Sequence, residues 1–99
     1  MLVLSGEIDL NDSPVLRETI LASLEDGKPL LIDMQEVSYI DSSGIASLVE
    51  GFQKAKKIDL HYGLLSISSP AMQVLTITRL DKIFTLYDTE DSFIDLLEP

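Results

Sequence analysis

Four times along this chain a short strand-like run gives way to a helix-like one, and that alternation constrains the fold more than any other feature. Leu2-Val3-Leu4 is a short apolar run, after which Ser5-Gly6-Glu7-Ile8-Asp9 reads as a turn outward. Asn11-Asp12-Ser13-Pro14 starts a helix, a capping side chain followed by Pro at the first helical position. Leu16, Ile20 and Leu24 line one face of that helix. Gly27 stops it and Pro29 prevents its return. Leu30 to Met34 is too short an apolar run for a helix and reads as a buried strand, parallel to the first because a helix lies between them.

Val37-Ser38-Tyr39-Ile40 leads into Asp41-Ser42-Ser43-Gly44 and then a clear amphipathic helix. Ile45, Leu48, Val49, Phe52 and Ala55 share one face of it, and Lys54, Lys56 and Lys57 suit the negative end of its dipole. Residues 60–67 predict the next strand. Ser69-Pro70 repeats the cap-then-Pro signal, and Met72, Leu75, Thr76 and Leu80 form a helical stripe. Residues 83–87 predict a fourth strand. Thr89 caps a last helix that Phe93, Leu96 and Leu97 dock. The order β-α-β-α-β-α-β-α implies an α/β domain over residues 1–99, with a small, mostly parallel sheet and right-handed crossovers.

Size and charge narrow the function. A chain of 99 residues has a radius of gyration near ~13 Å and seldom walls a deep active-site cleft. Seventeen acids against seven bases leave a net charge of −10, which argues against nucleic acid and against an anionic membrane surface. The first 50 residues carry ten of the acids and two of the bases. There is no cysteine, so thiolate chemistry and disulfides are excluded. No basic, apolar leader and no run of ~20 apolar residues is present, so the expectation is a cytoplasmic protein with no membrane insertion.

Catalytic sets are sparse. No phosphate loop or dinucleotide fingerprint occurs. A nucleophilic triad would rest on His61, the one histidine, whose neighbours Leu60 and Tyr62 read as strand. Asp33 and Asp41 are the one candidate carboxylate pair, though acids at strand ends are commonly turn-formers and caps. The expectation is no catalytic residue, no metal site and no cofactor. Asp41-Ser42-Ser43-Gly44 is more informative. One capping residue would suffice, and here there are three in a row. A serine at this corner is within reach of another protein, and unpaired N–H groups at a helix start can host a phosphate of about −1.5 to −2 charges.

These residues resemble a STAS domain of the anti-sigma factor antagonist type. Leu4-Ser5-Gly6-Glu7-Ile8-Asp9 resembles the family's opening, Leu31-Ile32-Asp33-Met34 with Val37 to Gly44 its central signature, and Ser69-Pro70 with Leu80 to Phe84 its last third. The resemblance implies that Ser43 is a phosphate acceptor, with Asp41 the neighbouring acid and Ser42 a hydroxyl that shapes the corner. Asp41, Ser42, Ser43, Gly44 and Ile45 would form the partner-binding corner. It further implies a partner switch. The unphosphorylated chain binds an anti-sigma factor that is also a serine kinase, is released when phosphorylated, and is reset by a PP2C-type phosphatase.

Family members usually have a strand before the Ser-Gly-Glu segment, and here that N-terminal edge strand is absent or short. An uncovered edge invites pairing, so a homodimer through it is expected. The glycine often found just after the family's central helix is also missing from Ile58 to Gly63 before its last position. The main alternative is a STAS subunit of an ABC-type lipid transporter, binding its ATPase. A receiver domain phosphorylated on aspartate fits less well, because Ser5-Gly6 stands where an acidic pair belongs and Tyr87-Asp88-Thr89 where a lysine does.

Overall fold

Each of the three apolar runs after the first helix start returns the chain to the sheet in the same direction, because a helix crosses back before each one. In the computed structural model, which describes residues 1–97, the strands are β1 (Leu2–Ile8), β2 (Leu30–Ile40), β3 (Tyr62–Leu65) and β4 (Thr85–Tyr87). The helices are α1 (Ser13–Glu25), α2 (Ser42–Lys57), α3 (Ser69–Ile77) and α4 (Glu90–Leu97), with a 3-10 turn at Leu80–Lys82. The strands lie in the order β1-β2-β3-β4, every neighbouring pair parallel, as the alternation implies.

Alternate residues of β2 face opposite sides. Leu30, Ile32 and Met34 join the main core with Leu16, Ile20 and Leu24 of α1, Ile45, Leu48 and Ala55 of α2, and Ala71 and Leu75 of α3. Leu31 faces the other way and packs with Leu65 and Phe93 of α4, where the Phe93 and Tyr87 rings meet edge-on at 5.3 Å. Leu96 and Leu97 stay substantially exposed, so Phe93 alone of the three expected residues docks α4.

Several boundaries differ from the sequence reading for identifiable reasons. Ser5-Gly6 is not a turn. Gly6 (φ +73°) sits at register shifts within β1, and the bulge carries the strand on to Ile8 opposite Ile40. β2 likewise runs through Gln35 and Glu36 to Ile40, because Val37 and Ile40 bury beside β1. β3 is shorter than expected: Asp59 and Ser66 adopt left-handed backbone on either side of it. Leu80 leaves the α3 stripe for the 3-10 turn, whose carbonyl also takes the N–H groups of Ile83 and Phe84 and delays β4. Asp12 makes no side-chain cap. The Asp9 carbonyl accepts from Asp12 and Ser13 N–H instead, at 3.1 and 2.9 Å. The α3 cap is Ser68, one residue before the expected Ser69.

β1 is one edge of the sheet, and no strand pairs its outer side among the described residues. β2 outruns β3, which pairs only Leu30 to Asp33. Ser68 covers part of the surplus by donating its hydroxyl to the Val37 carbonyl at 2.6 Å and its N–H to Met34 at 3.2 Å.

Gly51 fixes how closely α2 approaches α1 and β3. A Cβ there would stand 2.5 Å from Ile20 Cγ2 and 2.7 Å from the Tyr62 hydroxyl, which donates to the Leu48 carbonyl at 2.8 Å. Burial pushes the Tyr62 phenol well above its usual range, so this hydroxyl remains a donor. Gly51→Ala should therefore lower the unfolding free energy by about 1–3 kcal/mol, the usual cost of overpacking. Urea denaturation measures this, and an unchanged midpoint would show that the helix can simply shift outward.

Candidate functional site

The corner between β2 and α2 is built around one carboxylate. Ile40 ends β2 in the core, and Asp41 keeps an extended backbone while its N–H donates to the Ile8 carbonyl of β1 at 3.2 Å. The chain then turns into α2. Asp41 Oδ1 accepts three hydrogen bonds: from Ser43 N–H at 3.0 Å, from Gly44 N–H at 3.1 Å and from the Ser43 hydroxyl at 2.6 Å. Its carbonyl accepts from Ile45 N–H at 3.0 Å. The Ser43 hydroxyl, with the Gly44 and Ser43 N–H groups behind it, holds the Asp41 carboxyl below its ordinary value against a smaller opposing effect of burial.

This arrangement corrects one sequence expectation. The N–H groups of Ser43 and Gly44 are not free to host a phosphate, because the Asp41 carboxylate already fills that anion site. It also sorts the five expected corner residues. Ser42 is exposed, Asp41 and Ser43 are half-buried, and Gly44 and Ile45 are buried. A Cβ on Gly44 would stand 2.7 Å from Ile40 Cγ1 and 3.0 Å from Ile8 Cγ2. Gly44 thus seats the helix start directly on the ends of β1 and β2. Gly44 and Ile45 shape the corner, while Ser42 and Ser43 give it its accessible hydroxyls.

A groove of about 280 Å³ runs from Ser43 along the seam of α1 and α2, lined also by Ser13, Arg17, Ser47 and Glu50. The buried Ser47 hydroxyl lies 3.1 Å from the Ser13 carbonyl and 3.2 Å from the Ser43 carbonyl, tying the two helix starts together. Arg17 and Glu50 form an ion pair across the groove, both about half exposed. The sequence reading passed over both features. Ser47 lies one helical turn beyond Ser43, and Arg17 is one of only two bases in the first 50 residues.

The other candidates lie elsewhere. Asp33 is within β2, where Oδ1 accepts from Gln35 N–H at 2.9 Å, and the rest of the strand, residues 34–40, separates it from Asp41 by roughly 25 Å. The two carboxylates do not form a pair. His61 is exposed just before β3, at the opposite end of the sheet from Ser43. Among the described residues no three His, Asp or Glu side chains gather to hold a metal, and no helix is long and apolar enough to cross a membrane.

The parallel topology also sorts charge by end. At the carboxyl end of the strands, the loops and first helical turns carry Asp9, Asp12, Asp41, Asp88, Glu90 and Asp91. At the other end stand Lys28, Lys54, Lys56, Lys57, Arg79 and Lys82, six of the seven bases. These bases are thus gathered at the far end of the sheet, where Glu25, Asp26, Asp59 and Asp81 stand among them, while the Ser43 end carries acids from both halves of the chain.

The Asp41 cap has a definite pH signature. Its folded pKa lies below the ordinary 3.8, so its contribution is complete above that value and is lost as pH falls through the lower folded one. Asp41→Asn should lower stability at neutral pH and flatten that part of the acid-unfolding curve, followed by circular dichroism, so that the two proteins converge in acid. Superimposable acid limbs would show that the carboxylate contributes no linkage.

Residues 1–93 match the family model of the STAS domain. Over 83 residues, 84% of this chain and 76% of the relative, the sequence is 35% identical to the anti-sigma-B factor antagonist of Bacillus subtilis. It is 30% identical over 87 residues to the protein of the same name from Listeria monocytogenes, 87% of this chain and 76% of that one. The structure of an anti-sigma factor antagonist from Mycobacterium paratuberculosis superposes with a TM-score of 0.82 at 32% identity, covering 95% of this chain and 80% of that one. The anti-sigma factor antagonist SpoIIAA in its unphosphorylated form shares the fold, with a TM-score of 0.81 at 22% identity over 96% and 84% of the two chains. The all-parallel sheet, the Asp-Ser-Ser-Gly corner at its carboxyl end and the match over residues 1–93 together place this chain in the STAS domain family.

Proposed function

We propose that this chain is an anti-sigma factor antagonist acting as the phosphorylatable member of a partner switch, with Ser43 as its phosphate acceptor. The observation that carries the reading is the Ser43 hydroxyl. It is half-buried at the rim of an acidic face and oriented by a 2.6 Å bond to Asp41. With its hydrogen directed at the carboxylate, the oxygen keeps lone pairs free for attack. The names of the Bacillus, Listeria and Mycobacterium proteins support the regulatory role.

In this reading the catalysis belongs to the partners, and the chain is their substrate and ligand in the cytoplasm. The unphosphorylated chain binds an anti-sigma factor that is also a serine kinase. The terminal phosphoryl group of that kinase's ATP passes to Ser43 Oγ, the P–O bond to ADP breaks, and the hydroxyl proton is released. Positioning and charge stabilisation dominate such a transfer, so an oriented hydroxyl on a rigid corner suits it. The phosphate then brings about −1.5 to −2 charges beside Asp41 and inside a protein contact, where an unmatched anion is costly. A PP2C-type phosphatase restores the hydroxyl. The acidic end of the sheet fits a basic partner surface.

Incubation with the genomically adjacent serine kinase and ATP, followed by mass spectrometry, should place one phosphate on Ser43 and none on Ser43→Ala. Ser43→Asp should weaken kinase binding about 100-fold, a difference of about 2.7 kcal/mol, with an unchanged circular dichroism spectrum. Modification elsewhere, or stable binding to a transporter ATPase with no phosphorylation, overturns the reading.

The same proposal pairs two copies through the outer edge of β1, where Val3 is exposed. Sedimentation at high concentration should give a dimer mass, and a strictly monomeric mass overturns this part.

A further inference from the structure

A phosphate on Ser43 does not find the Ser43 and Gly44 N–H groups open to it. The two N–H groups beside it already bond the Asp41 carboxylate, and that carboxylate lies 2.6 Å from the oxygen that would carry the phosphorus. Repulsion from Asp41 therefore drives the phosphate off the helix axis and into the groove between α1 and α2, whose 280 Å³ holds several water volumes of ~30 Å³ each. Six of the seven bases stand at the far end of the sheet. The seventh is Arg17, and it lines this same groove with Ser43.

We propose that Arg17 is a built-in phosphate receiver: on phosphorylation of Ser43 its guanidinium leaves Glu50 and closes on the phosphate. This rests on Ser43 being the acceptor and adds what holds the phosphorylated state. Reach permits it. Ser47 ties the starts of α1 and α2 together, Arg17 lies one turn beyond Ser13 on α1, and helical side chains lean toward the helix N-terminus, here the Ser43 end. The exchange is also favourable in kind. Arg17–Glu50 is a half-exposed pair of a class that contributes little, whereas a guanidinium fork on a phosphate makes charge-assisted, bidentate bonds. The groove's other charges, Glu18 and the released Glu50, are both anionic, as is the capping Asp41. They leave Arg17 as the phosphate's one cationic neighbour there. The consequence is a phosphorylated state that differs from the free one along the α1–α2 seam as well as at the corner.

The test uses the full chain with phosphoserine installed at position 43 during translation, titrated by phosphorus NMR. A neighbouring cation favours the dianion and lowers the second phosphate pKa from its ordinary value near ~6. Arg17→Gln should raise that pKa by about half a unit relative to the unsubstituted phosphoprotein, and Arg17→Lys should recover part of the difference. Glu50→Gln, which removes the competitor, should shift it the opposite way. Arg17 is exposed and Glu50 half-buried, and circular dichroism is the fold control for all three substitutions. Identical titrations for the parent and Arg17→Gln overturn the proposal. No kinase enters this experiment. Identical titrations beside successful kinase labelling of Ser43 would remove the receiver and leave the switch, whereas failure to label Ser43 would remove both, because the receiver rests on the switch.

Discussion

The Asp41 carboxylate is the interaction on which the rest of the structure depends. Two parallel strands end side by side at Ile8 and Ile40, and a helix must begin within two residues, above side chains that leave no room for a Cβ on Gly44. Such a junction strands N–H groups close to the core, where unsatisfied donors are expensive. One carboxylate oxygen satisfies two of them and fixes a neighbouring hydroxyl as well. Asp41 thus joins β1 to α2, its N–H bonding Ile8 and its carboxylate the helix start, and the carboxylate decides which way the Ser43 oxygen faces. A structural requirement of parallel topology and a chemically addressable hydroxyl share one residue.

Parallel topology has a second effect, on charge. Helix starts all fall at one end of the sheet and helix finishes at the other, so the Asp41 cap and Glu90 and Asp91 stand where acids suit a helix, and Lys54, Lys56 and Lys57 where bases do. At α2 and α4 the stabilisation of the helix start and the acidity of the Ser43 face therefore have a common origin. Arg17 is the exception, set one turn inside α1, and its pairing with Glu50 keeps it within the seam.

Much of this was legible in the sequence, and the boundary is physical. Leu16, Ile20, Leu24, Ile45, Leu48 and Ala55 announced their faces because helical burial follows local spacing, and all six are buried. The Asp-Ser-Ser-Gly corner was legible as a helix start at the end of a strand. What escaped depends on partners distant in sequence. Ser5-Gly6 has the composition of a turn, and only β2 alongside makes it a bulge. Asn11-Asp12-Ser13 offered caps, yet the Asp9 carbonyl did the capping. Arg17 and Glu50 are 33 residues apart, and nothing local to either points to the other. At the corner itself, three candidate side chains in a row concealed which one would take the N–H groups.

The unequal strand lengths give the corner a mechanical character of its own. Beyond Asp33, β2 loses β3 as a neighbour and is held by β1 on one side and by the Ser68 hydroxyl and N–H on the other. Because Ser68 also caps α3, Met34 and Val37 of β2 are tethered on that side to the next helix start by one serine rather than by a ladder. The β1 ladder continues to the Ile8–Ile40 pair, and Val37 and Ile40 are buried, so this half of β2 is held chiefly by β1 and by the core. The Ser43 corner therefore takes its position from two neighbours of different kinds, a strand ladder on one side and a single capping serine on the other.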